Sequence, residues 1–170
     1  MNVYEAIENR RSVRKYEQKD IPMEVLTRIL NAARLAPSAN NRQDWKFIVV
    51  KDPELKKKVA EAARGQSFVG EASVIIAGVA LNPEKLMSCE VPAYAVDLAI
   101  AMTQITLAAV EEGLGTCWIG AFDQAKVKEL LGIPAEYKVV ELMPLGYPAD
   151  KPRTKIRKRL EEVVAYDRFA

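Results

Sequence analysis

The sequence predicts a mixed α/β layer fold, with helices packed on a sheet, on three observations. Four short apolar runs with strand character are separated by segments whose apolar residues recur at helical spacing. Hydrophobic residues make up 49% of the 170, enough to bury a substantial core. No repeat, low-complexity tract or Gly-, Ser- or Pro-rich linker divides the chain, so one domain over 1–170 is expected, with 148–170 as a C-terminal arm.

The elements follow in order. Residues 2–9 place Val3, Ala6 and Ile7 at helical spacing behind Asn2, a suitable N-cap. Pro22 opens a clearer helix, in which Val25, Leu26, Ile29, Leu30 and Ala33 share a face and Pro37 follows the end. "KFIVV" at 46–50 reads as a buried strand, "PELKKKVAEAA" at 53–63 as a charged helix with Pro at its start, and "VIIAGVAL" at 74–81 as a second strand. Residues 91–110, "VPAYAVDLAIAMTQITLAAV", are apolar on nearly all sides and long enough to span a bilayer. Pro92, Asp97 and Gln104 interrupt the run and its ends carry no basic asymmetry, which favours the centre of a soluble fold or a helix shared with a partner subunit. A third strand is expected at 116–122, "TCWIGAF". Asp123 caps a helix over 124–131 that stops at Gly132. A fourth strand covers 138–146, "KVVELMPLG", where Pro144 suggests a sheet edge or a bulge. Beyond Tyr147 no core pattern continues, hence the arm.

Composition excludes several chemistries. The chain has no histidine, which removes Ser-His-Asp and Cys-His catalysis, imidazole metal sites and a histidine proton shuttle. Its formal charge of +2 does not describe a dedicated nucleic-acid binder. Cys89 and Cys117 stand far apart, which suits a reduced cytoplasmic protein, and "MNVYEAIENRR" lacks the apolar core of a secretory signal.

The cations are concentrated at the two ends. "RRSVRKY" at 10–16 alternates Arg10, Ser12 and Arg14, which an extended chain sends to one side. Two guanidiniums and a hydroxyl there would cradle a phosphate, because Arg offers forked, permanently charged donors. A solvated basic face is the alternative reading. The arm holds a second cluster, "KPRTKIRKR" at 151–159, and the loop "APSANNRQDWKF" at 36–47 displays a hydroxyl and several amides between a helix and a strand.

Together with "GLGTCWIGAF" at 113–122, these separated motifs resemble the flavin-dependent nitroreductase family over nearly the whole chain. The resemblance implies a mixed sheet sandwiched by helices, an intertwined homodimer, and FMN at the subunit interface. Carried over residue by residue, Arg10, Arg11, Ser12 and Arg14 match the family's phosphate and ribityl ligands. Pro37, Ser38, Ala39 and Asn41 match the loop that reaches the flavin from the other subunit, and Gln66 an amide on the pyrimidine edge. Gly120 and Ala121 match positions whose N–H groups face flavin N5 and O4, and Arg157 and Arg159 match cations that return to the phosphate. No catalytic side chain is implied, since the flavin carries the redox chemistry: hydride passes from NADH or NADPH to N5 and on to a nitroaromatic, quinone, flavin or similar small acceptor. A Gly at 120 would let the backbone approach the ring edge unobstructed, and cations or amides near N1 and O2 favour the reduced flavin.

Competing signals are weaker. The glycines of "EEGLGTCWIG" follow a helix and do not form the dinucleotide fingerprint, and no P-loop occurs. Cys117 reads as a buried strand thiol with no base to activate it, and Trp45 and Trp118 as core aromatics or flavin-stacking partners. The chain departs from the family pattern at Ala39 and Asp44, where the family often has Ser and Pro. Only "NPEKLMSCEVPA" stands where other members carry a helical insertion over the substrate, so an open acceptor site with loose specificity is expected. A flavin-storing or regulatory protein with little turnover is one alternative function, and a binder of acidic partners through the two basic ends is another.

Overall fold

The computed structural model describes residues 1–152 and 155–169, so Arg153 and Thr154 of the second basic cluster lie outside the described residues. Among the described residues, six α-helices surround one four-stranded sheet of order β1-β2-β4-β3: Trp45–Val50 (β1), Val74–Ala80 (β2), Gly115–Thr116 (β3) and Lys138–Gly146 (β4). All strand pairs are antiparallel, and the parallel component of the sheet is a single bridge between Ser12 and Thr116 at its β3 edge.

Local sequence accounts for most helix limits. The helix Val3–Asn9 (α1) starts at Asn2, whose side chain accepts from the Glu5 N–H while Glu5 accepts from the Asn2 N–H. Met23–Arg34 (α2) follows Pro22 and buries Leu26, Ile29 and Ala33. Asp52 caps Pro53–Ala62 (α3), and Asp123 caps Gln124–Leu131 (α6), which Gly132 closes at φ 63°. A one-turn helix, Ser67–Glu71 (α4), was not legible in the pattern, being too short to show a period.

The apolar run forms Ala93–Glu111 (α5), long and apolar enough to cross a membrane by length and composition. Here it is a core helix. Ala101, Met102, Ile105 and Ala109 cluster with α2 residues and with Ile76, Met143 and Leu145 on one sheet face. The opposite face packs Ile75, Ala77 and Leu142 against Val59, Ala63 and Val127 of α3 and α6. The sheet is thus covered on both faces, as the layer pattern requires.

Three expectations are corrected. The strand at 46–50 is half exposed because β1 is an edge. The strand expected over 116–122 survives only as β3 and an isolated bridge from Ile119 to Leu142. Pro144 sits neither on an edge nor at the bulge, which falls at Gly78/Val79; it lies in the central strand β4. The last two share a cause. The pairs Thr116–Leu145 and Ile119–Leu142 hold the same register, so Pro144 falls opposite Cys117 within the gap, and an imino nitrogen cannot donate to that ladder. The Pro144 carbonyl lies 3.4 Å from the buried Tyr16 hydroxyl instead.

Glu141, next to the bulge, is fully buried with no hydrogen-bond partner for either oxygen. It pairs with Gly78, so both share one face; a Cβ on Gly78 would meet Leu98 and Met102 of α5. Burial pushes the Glu141 carboxyl up to about 9, so it is protonated at neutral pH. Because the folded value lies above the unfolded one, its stabilising share is full in acid and is lost as pH climbs towards that value. Urea unfolding of the parent should show stability falling between pH 5 and 9, and Glu141→Gln should remove that slope, outlasting the parent at pH 7 by about 3 kcal/mol. A parent slope as shallow as the variant's would refute the assignment.

Candidate functional site

The two termini meet because one extended segment is gripped from both sides. After α1 ends at Arg10, the Val13 N–H donates to the Thr116 carbonyl at 2.8 Å. On its other side the segment pairs with the continuation of β4: Glu17 N–H donates to Tyr147 O and Ala149 N–H to Lys15 O, both at 2.9 Å. Val13 turns inward at 1% exposure, against β3. A Cβ on Gly115 would lie 2.4 Å from Val13 Cγ2, so only glycine permits this approach. The buried Tyr16 hydroxyl donates to Val13 O at 2.9 Å, and burial pushes its phenol far above the usual range.

The outward side chains of this segment open a cavity of about 380 Å³. Arg10, Arg11, Ser12 and Arg14 line it from the N-terminus, and Asp150, Lys155, Ile156 and Arg157 from the arm. Five cations therefore face one carboxylate. Asp150 Oδ1 lies 2.8 Å from Arg11 Nη2, whose directed hydrogen bond goes to the Asp150 carbonyl, also at 2.8 Å. The Arg11 guanidinium holds the Asp150 carboxyl below its usual range. Lys155 donates from Nζ to Glu8 O, and desolvation, followed by Arg10 and Arg157, lowers its pKa. Arg159 is not in the cavity; it pairs with Glu161 and Glu162. So concentrated a positive charge is held together at a cost unless an anion enters, and forked guanidiniums suit a phosphate.

A second group forms beside α3. Gln66 Nε2 donates to Ala63 O at 2.8 Å and lies 3.4 Å from Ala121 O, and Asp123 N–H donates to Ala62 O. Gln66, Gly120 and Ala121 are thus brought together. A Cβ on Gly120 would meet nothing within 4 Å, so the space over its backbone is open.

The loop carrying Pro37, Ser38, Ala39 and Asn41 is elsewhere. It leads into Trp45, opposite Ala80, which pairs with Lys138 at the start of β4, whereas Thr116 and the cation cavity adjoin Leu145 at its end. The separation along β4 is about 25 Å. One chain therefore holds the cation cavity and the loop at opposite ends of its sheet.

Asp150, Lys155 and Ile156 were missed by sequence reasoning. Asp150 carried a signal, an acid directly after the strand-ending "GYPA". Asp97, noted only as an interruption of an apolar run, accepts from the Ala39 N–H at 3.0 Å. Cys117 is buried with its thiol pushed up by desolvation, while Trp118 is 44% exposed beside Gly120 rather than a core aromatic.

Known proteins resemble this chain in sequence and in fold. The Nitroreductase family profile matches residues 7–91 and 67–147. A protein from Methanothermobacter thermautotrophicus, provisionally named NADH dehydrogenase/NAD(P)H nitroreductase, is 38% identical over 165 residues, 91% of this chain and 82% of its own. FMN reductase [NAD(P)H] of Bacillus subtilis is 33% identical over 178 residues, covering 95% of this chain and 72% of its own. The crystal structure of a nitroreductase family protein from Clostridium novyi NT superposes with a TM-score of 0.83 at 41% identity, covering 91% of this chain and 89% of that one.

Inorganic phosphate should raise the melting temperature of ligand-free protein with saturation, reaching about 2.7 kcal/mol of added stability at a hundredfold excess over its dissociation constant. Arg14→Ala should abolish most of that shift. An equal shift with sodium chloride at matched ionic strength would reduce the effect to general screening.

Proposed function

The chain belongs to the Nitroreductase family, and on that premise we propose that it is an FMN-dependent NAD(P)H oxidoreductase acting as a homodimer with one flavin site at each end of the subunit interface. The carrying observation is the cavity in which Arg10, Arg11, Ser12, Arg14 and Arg157 from the two termini face one volume.

The donor set fits the cofactor. The guanidiniums and Ser12 would hold the FMN phosphate, with Lys155 as a further cation and Asp150 keeping Arg11 in place. Gly120 and Ala121 would present backbone to the ring where no side chain intrudes, and Gln66, braced on Ala63 O, an amide to its pyrimidine edge. Bound FMN would supply a two-electron relay at N5, loaded by NADH or NADPH and discharged to a second substrate in alternating half-reactions. The protein's part is to bind, orient and bias that relay, so a chain without histidine is adequate for it.

The separation of the cavity from the loop supports a dimer. An antiparallel second copy would set its loop of Pro37, Ser38, Ala39 and Asn41 against the first copy's cavity, and symmetry would complete both sites at once. Exposed apolar side chains supply a surface for it: Tyr4 and Ile7 on α1, and Leu160, Val163 and Phe169 on the arm. In such a dimer the chain acts as one flavin-binding domain with 148–170 as the embracing arm, and Arg159 could exchange Glu161 and Glu162 for the phosphate. The short segment between β2 and α5 leaves the acceptor side uncovered, which suits a nitroaromatic, quinone, free flavin or similar small electrophile taken up with loose specificity. We assign the protein to the cytoplasm.

Purified protein should be a yellow dimer that releases FMN on denaturation and is bleached anaerobically by NADH or NADPH. Replacing Arg10 and Arg14 together with Ala should empty the site and leave a folded dimer. A flavin-loaded protein that neither nicotinamide bleaches would support storage instead, and full flavin occupancy in the double variant would overturn the assigned cradle.

A further inference from the structure

The loop between α2 and β1 holds an unusual backbone. Asn40, Asn41 and Gln43 have φ of 53°, 53° and 55°. Left-handed geometry brings Cβ close to the following carbonyl oxygen in any residue but glycine. Asn tolerates it through local hydrogen bonds, whereas Gln gains little, and three such residues within four positions persist only where the surroundings over-determine them.

Most of the restraints are internal. Gln43 N–H donates to Ser38 Oγ at 3.0 Å, Gln43 Nε2 to Asn41 O at 3.2 Å, and Arg42 Nε to Asp44 Oδ2 at 2.7 Å. Internal bonds shape a loop but do not fix where it sits. Among the described residues, three bonds tie it to the rest of the fold. After the strained stretch, Leu81 N–H donates to Asp44 O at 3.0 Å and Asn82 Nδ2 to Asp44 Oδ2 at 3.4 Å; before it, Ala39 N–H donates to Asp97 Oδ1 at 3.0 Å.

Asp97 is an odd residue for its place. It is 7% exposed, in the second turn of α5, and is that helix's sole charged residue before Glu111. Packing alone would favour an apolar residue there, since a buried carboxylate is costly unless it accepts hydrogen bonds from groups aimed at it. The C-terminal end of the same helix leads through Gly113 and Leu114 directly into β3, beside the cation cavity. From Asp97 to Glu111 it spans roughly 20 Å of rigid rod.

We propose that Asp97 is a positioning residue: by holding the Ala39 N–H it pins the Ser38–Gln43 loop to α5, and so sets the distance between the two ends of the subunit that would share bound flavins in the dimer. The last part rests on the function proposed above; the pinning does not. What the bond needs is an acceptor oxygen at this place on the helix, and the loop's strain ensures that losing it frees the loop to relax.

The test separates the two. In ligand-free Asp97→Ala, NMR should show the Ala39 amide exchanging about tenfold faster than in the parent, and trypsin should cut after Arg42 faster by a similar factor. FMN should dissociate about tenfold more readily, while the phosphate-induced melting shift of the terminal cavity stays the same. Asp97→Asn keeps an acceptor oxygen and should lie within about twofold of the parent in each readout. If Asp97→Ala does not fold, Ala39→Pro removes the donor instead. Ser38 is extended at φ −141°, ψ 159°, as a residue before proline must be, and Ala39 opens a helical turn. Ala39→Pro should speed cleavage at Arg42 about as much as Asp97→Ala. Unchanged Ala39 exchange in Asp97→Ala, or unchanged cleavage at Arg42 in Ala39→Pro, would overturn the proposal. A parent that binds no FMN would overturn the proposed function while the exchange and cleavage measurements still decide the role of Asp97.

Discussion

The structure turns on the pairing of residues 13–17 with two partners at once. Thr116 holds the segment on one side, and Tyr147 and Ala149 hold it on the other. That insertion ties the chain's first turns to its last strand, so cations far apart in sequence share a cavity. It also explains the residues that make it possible. Gly115 yields its side-chain space to Val13, and Tyr16, buried against β4, occupies the neighbourhood where Pro144 interrupts the ladder. Without this pairing, the cations would be a surface feature at each end, screened by solvent.

A second constraint is the length of α5. Its buried side, with Ala101, Met102, Ile105 and Ala109, packs on the sheet and α2, and its two ends lie beside two different groups of polar residues. At the C-terminal end is the cation cavity, and at the N-terminal end is the loop fastened through Asp97. Each end of the helix thus adjoins a different group, and the rigid rod between them fixes their separation.

Two buried acids illustrate how context decides what a carboxyl does. Asp97 faces a main-chain donor and accepts its hydrogen bond. Glu141, against Gly78 and the flank of α5, has no partner for either oxygen and keeps its proton. One secures a loop; the other exposes the core to alkaline pH. Residue type alone did not separate them, because what differs is the presence of an N–H a few ångströms away.

Much of this protein was legible along the chain. Capping residues, prolines and Gly132 gave the helix limits, since those signals act on their own backbone within a turn. Apolar runs located β1, β2 and β4 to within a residue, whereas the run at 116–122 was cut to β3 by Pro144 on the strand opposite. The cation clusters and the Gly120 segment were visible as motifs, and resemblance supplied their meaning. Tertiary structure decided the rest: that Lys155 and Asp150 enter the cavity, that Gln66 stands beside Ala121, and that Asp97 serves a loop 58 residues away in sequence. Sequence records which groups are available and what their own backbone prefers. Which donor meets which acceptor depends on strand register and helix packing, long-range terms that no local pattern contains.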